Sequence, residues 1–128
     1  MGMLLAIICF YFLITPVYAQ EIPSQEAVAI LIGEAADQGL KGMICVGEVL
    51  RRRGGPEGFY GYSKNFSKFD SAFLKQRAIK AWEISANTNY TKGADHFENV
   101  RAFGQPWWAK YCIKTFEYKD HVFYKEVT

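Results

Sequence analysis

Two glutamates on neighbouring helix-like segments pose the chemical question in this chain. Glu34 lies in the run SQEAVAILIGEAAD, Ser24 to Asp37. At about 100° per residue it stands about 20° round a helix from Ala27, about 40° from Ile30 and about 60° from Leu31. It therefore shares their apolar stripe. A carboxylate there either finds a buried partner or stands in a cleft wall. In a cleft wall, desolvation favours the neutral acid, which can then donate a proton near neutral pH. Glu48 is the control. It lies opposite Val46 and precedes Arg51 and Arg52 at the spacing of helical ion pairs, which predicts solvated surface. Only Glu34 invites a catalytic reading, and Asp37, at i+3 from it, is expected to face solvent or cap the turn.

The two histidines have matching settings, His96 in ADHFENV and His121 in DHVFY. Each follows an Asp and precedes aromatics in a strand-like segment. Either adjacent strands line one cleft wall, with His96 or Tyr124 hydrogen-bonding a substrate, or both imidazoles cap or bridge a small sheet. The second reading suits His121 better. No motif joins these residues into a metal site, and the cysteines lack metal-type spacing. Aromatic residues make up 16% of the chain. Tyr60, Tyr62 and Phe66 are candidates either for rings that stack on sugars, a common use of exposed aromatics in clefts, or for a hydrophobic clasp over the core, and of the adjacent Trp107 and Trp108 at least one is expected to pack inward.

The elements that must hold these residues follow from periodicity. Ser24 is placed to cap a first helix to about Asp37, and DQGLKG turns the chain. A second helix, roughly Lys41 to Arg53, points Met43, Val46, Val49 and Leu50 inward. The GxxGM run at its start is read as letting the two helices pack closely. Gly54, Gly55, Pro56 and Gly58 open an aromatic loop reaching Phe69. A third helix is expected over about Ser71 to Ala86, then a short strand in ADHFENV. A fourth helix is expected from Pro106 through Trp107, Ala109, Tyr111, Cys112 and Phe116, then a closing strand in DHVFYKEV.

Composition sets the bounds. The chain has 128 residues, with 15 Lys and Arg against 13 Asp and Glu, a formal +2. That balance does not argue for nucleic acid, and only Arg51 to Arg53 cluster. Residues 1–19 read as a secretory signal ending at Ala19, with an uncleaved anchor as the alternative. Cleavage leaves one domain, 20–128, with no stable membrane span, secreted or periplasmic. Cys9 departs with the signal. Cys45 and Cys112 then form one disulfide between the second and last helices or remain two separate buried thiols.

Four blocks of residues resemble the SleB-type cell wall hydrolases, the spore cortex-lytic enzymes and related lytic transglycosylases. They are AILIGEAADQGLKGMICVGEVLRRR, the Gly-Phe-Tyr-Gly loop at Gly58 to Gly61, GADHFEN at Gly93 to Asn99, and PWWAK with the closing HVFYK. The chain departs from the family in having RRR where Asn-Arg is usual, and NFSKF is a loose match to its central polar segment. The resemblance implies a small, mainly helical, lysozyme-like α+β domain with a short sheet beside the cleft. It implies that Glu34 is the essential acid and base in cleaving the β-1,4 bond between N-acetylmuramic acid and N-acetylglucosamine, without cofactor or metal. The expected partner is a peptidoglycan glycan strand. The expected substrate-binding residues are Tyr60, Tyr62, His96, Asn99, Trp107 and Tyr124. A muramidase using water and a non-catalytic glycan-binding domain are the alternatives.

Overall fold

The computed structural model describes residues 22–59 and 71–127. The apolar leader and the loop bearing Tyr60 and Tyr62 lie outside the described residues. Helices α1 (Ser24–Ala35), α2 (Gly39–Arg53) and α3 (Ala72–Ser85) come first. Strand β1 (His96–Asn99), a one-turn helix α4 (Val100–Phe103), a 3-10 helix (Trp107–Tyr111) and the strands β2 (Cys112–Tyr118) and β3 (His121–Glu126) follow. The result is a small, mainly helical α+β arrangement, as the sequence predicts. Among the described residues no helix is long and apolar enough to cross a membrane.

Local chemistry explains the boundaries. The expected Ser24 cap is displaced by one residue, because Pro23 takes the capping position and its carbonyl accepts from Ala27 N at 3.0 Å. Ser71 caps α3, its hydroxyl accepting from Leu74 N at 3.3 Å. α2 stops at Gly54, whose φ of 71° is left-handed and is tolerated best without a Cβ. Two helical glycines act by leaving space. A Cβ on Gly47 would lie 2.8 Å from Ser85 Oγ, so this glycine lets α2 and α3 approach. A Cβ on Gly42 would lie 2.3 Å from Gln38 Cβ, so Gly42 of the GxxGM run makes room for the Gln38 side chain.

Around α1 the core gathers Ala27, Ile30 and Leu31 with Met43, Val46 and Leu50 of α2 and Ala78 and Ala81 of α3. The antiparallel sheet, in the order β1-β3-β2, closes this core with its inner face. β3 is central, and His121, Val122, Phe123 and Tyr124 are all buried because both faces are covered. Phe123, with Phe97 and Phe116, points to the helices. Val122 and Tyr124 point the other way and pack with Trp108, Ala109 and Val100.

The expected fourth helix is not formed. From Pro106 the chain makes only the 3-10 helix and then becomes β2. The same residues also fit a strand, since Ile113 and Thr115 are β-branched and a two-residue loop, Lys119 and Asp120, folds the segment back on β3. Pairing with β3 satisfies two rows of backbone groups at once, which an isolated surface helix would not bury. Thr115 is an extra residue in this pairing, because Lys114 faces Tyr124 while Phe116 faces Phe123. The bulge moves Phe116 to the core face; in regular pairing it would share the outer face with Lys114.

Candidate active site

Glu34 occupies the last turn of α1 and is half-buried. Ala27, Ile30 and Leu31, its neighbours on the stripe, are all 0% exposed. The carboxylate therefore stands where the buried stripe reaches the surface, and it keeps an interaction of its own there.

One turn further on, the corner between α1 and α2 is clamped to the β2–β3 loop by a residue that sequence reasoning missed. Gln38 is 1% exposed. Its Nε2 donates to Asp37 Oδ1 at 3.0 Å and to Asp120 Oδ2 at 3.1 Å, and its Oε1 accepts from Asp120 N at 3.2 Å. The Gln38 amide, with Arg101 beyond it, holds the Asp120 carboxyl below the usual range. The available signal was Gly42, whose missing side chain marks room for a neighbour, but no periodicity says which neighbour.

His121 belongs to this corner. It lies on the core face of β3, its ring 5.1 Å from that of Phe97 and 6.1 Å from that of Phe123. Burial lowers its pKa, with Asp37 and Asp120 pulling the other way. Its Nδ1 is buried without a hydrogen-bond partner among the described residues. The ring thus packs as an aromatic, and it forms no strand-bridging bond through Nδ1.

Glu48 reverses the sequence expectation. It is 2% exposed, not solvated surface. Thr88 Oγ1 and Tyr90 N donate to its Oε2 at 2.6 and 3.0 Å, and Thr91 N and Thr91 Oγ1 to its Oε1 at 3.0 and 2.7 Å. The predicted i,i+4 partner Arg52 stands 3.7 Å away. Burial alone would raise this pKa, yet the bonds from Thr88, Thr91 and Tyr90 together bring it below the usual value. An acid so placed stays ionised and cannot serve as a proton donor near neutrality. Arg52 also bonds Thr91 Oγ1, the Ala94 carbonyl and Asn89, while Arg51 bonds Ser85 and the Trp82 carbonyl. Both arginines thus hold elements together.

The other expected substrate contacts are spread differently. His96 and Tyr124 are cross-strand partners on the outer face of the sheet, the side away from the helical core. Tyr124 is 6% exposed. Trp108 lies between them, 5.0 Å from the His96 ring and edge-on to Tyr124 at 5.2 Å. Asn99 caps α4, its Oδ1 accepting from Ala102 N at 3.0 Å. Trp107 is 76% exposed and meets Tyr111 edge-on. The sheet thus brings His96, Tyr124 and Trp108 together, on the face opposite the one that packs against the helices bearing Glu34. Glu98, on the same face as His96, is a titratable group missed in the sequence; burial raises its pKa, and the bond from Asn99 N opposes this.

Cys45 and Cys112 are separate thiols, since the first is buried in α2 and the second lies on β2 instead of a fourth helix. Among the described residues no group of His, Cys, Asp and Glu could hold a metal ion. A groove of about 640 Å³, lined by Gln25, Val28, Ile32 and Ile79 among others, opens between α1 and α3. It is not a cleft for Glu34, because Gln25 and Ile32 lie about 180° and 200° round α1 from that residue. Comparison with family models, curated proteins and solved structures finds no match.

Proposed function

We propose that this chain is an exported peptidoglycan lytic transglycosylase that cleaves the β-1,4 bond between N-acetylmuramic acid and N-acetylglucosamine, with Glu34 as its single general acid and base. The observation carrying this reading is the position of Glu34, half-buried at the surface end of a stripe whose other members are fully buried. The resemblance of GEAADQGLKGM to the SleB-type pattern supports the same residue by a separate route.

In this reading, neutral Glu34 donates its proton to the glycosidic oxygen as oxocarbenium-like charge develops on the muramyl ring. The C–O bond breaks and the N-acetylglucosamine hydroxyl leaves. Glu34, now a carboxylate, takes the proton of the muramyl 6-hydroxyl, whose oxygen closes on C1 to give the 1,6-anhydro ring. One carboxylate serves both steps. Glu48, the buried glutamate of α2, is tied up by its hydrogen bonds, which fits a single-acid scheme.

The test is Glu34→Gln on purified peptidoglycan. Turnover is expected to disappear while the circular dichroism spectrum and melting temperature stay close to those of the parent. Undiminished release of soluble fragments by that variant would remove Glu34 from the chemistry, and binding of peptidoglycan with no release by either protein would favour a glycan-binding role.

A further inference from the structure

The outer face of the sheet carries polar groups arranged for a ligand, away from Glu34. His96 Nδ1 and Asp95 Oδ1 are 2.8 Å apart, and the same oxygen accepts from Glu126 N at 3.0 Å. The carboxylate is thus held from two sides. With Nδ1 engaged by Asp95, Nε2 is the ring nitrogen left to meet a ligand hydroxyl. Glu98, two residues along the same edge strand, leaves the same face about 7 Å from His96 and is half-buried. Trp108 packs against His96, and its neighbour Trp107 is 76% exposed, with Tyr111, 57% exposed, edge-on to it. The 3-10 helix carrying these rings is only about 10 Å long at about 2 Å per residue.

We propose that this face is a second sugar-binding site, in which Trp107, braced edge-on by Tyr111, stacks on a pyranose ring while His96 Nε2 and Glu98 meet hydroxyls of the same strand. Exposed rings on the short helix that packs against His96 through Trp108, together with these polar groups, select the ligand class. A purely apolar partner would strip water from His96 and Glu98 and return no hydrogen bond. A neutral polyol gives the rings its C–H face and the acceptors its hydroxyls. The choice of a β-1,4-linked aminosugar strand rests on the function proposed above. Such a site would hold an insoluble strand near the domain independently of the cleavage step.

The experiment uses the Glu34→Gln protein, labelled with nitrogen-15 and titrated with the β-1,4-linked tetramer of N-acetylglucosamine. Shifts are expected at the Trp107 and Trp108 indole N–H signals and the His96 ring. Trp107→Ala, a change at an exposed residue, is expected to weaken binding at least tenfold. Shifts confined to the corner around Gln38, or unchanged affinity in Trp107→Ala, would overturn the proposal. So would the absence of any indole shift at millimolar sugar. Loss of cleavage in Glu34→Gln combined with a silent outer face would refute this site and leave the Glu34 reading standing.

Discussion

Replacing Glu48 by alanine tests whether the buried carboxylate on α2 organises the segment behind it. The substitution removes the acceptor for Thr88 Oγ1, Tyr90 N, Thr91 N and Thr91 Oγ1. Thr91 is 0% exposed, so its amide and hydroxyl cannot turn to water without opening the structure. Each buried donor left unmatched costs about 1–3 kcal/mol. Thr88 and Tyr90 are more open and recover part of their loss by solvation. A total of about 3–5 kcal/mol follows, in the range for breaking a buried charge network. At about 4–8 °C per kcal/mol for a domain of this size, the melting temperature falls by at least about 12 °C. The assay is thermal unfolding followed by circular dichroism at pH 7 and pH 4. Because the folded pKa of Glu48 is lowered, its contribution is present above the unfolded value and lost as pH falls through the folded one. The gap between parent and variant therefore narrows in acid. A drop below about 3 °C at pH 7, the behaviour of an exposed ion pair, would refute the reasoning.

Other consequences are as direct. Burial pushes the Cys45 thiol up to about 12, so iodoacetamide at pH 8 followed by peptide mapping should label Cys112 well ahead of Cys45; equal labelling, or a Cys45–Cys112 disulfide peptide, would contradict the packing. His121 has a lowered pKa, so it contributes stability above the unfolded value of about 6.5 that is lost as pH falls toward the folded value. Its ring signals should titrate below 6.5, and titration at or above that value would show that the imidazole is not desolvated. Gly47→Ala places a methyl 2.8 Å from Ser85 Oγ and should destabilise by about 1–3 kcal/mol in urea unfolding; a neutral effect would mean that α2 and α3 are free to move apart.

Periodicity made the three long helices and the stripe bearing Glu34 legible, because Ala27, Ile30 and Leu31 all face one core. It misplaced Glu48 for a definite reason. Helical angle ranks faces relative to one helix, whereas the fully buried run from Gly42 to Leu50 shows α2 enclosed on all sides, with the segment from Thr88 to Ala94 covering its polar face. That cover comes from a stretch some 40 residues away in sequence and leaves no mark in the local pattern. The segment from Trp107 to Tyr118 failed for a related reason: its apolar residues satisfy both periods, and only pairing with β3 decides between them. His96 and Tyr124 were readable as strand residues. Their face was not, since sidedness depends on which strand is central and on which side of the sheet the helices pack.

In the proposed reaction Glu34 alone gives up one proton and takes another from the muramyl 6-hydroxyl. The most direct measurement is mass analysis of products from defined, uncrosslinked glycan strands, with the parent protein beside Glu34→Gln. The parent is expected to give muramyl ends one water lighter than reducing ends, and the variant no products. Reducing muramic acid ends would show that water attacks instead, and products from Glu34→Gln would contradict the assignment itself.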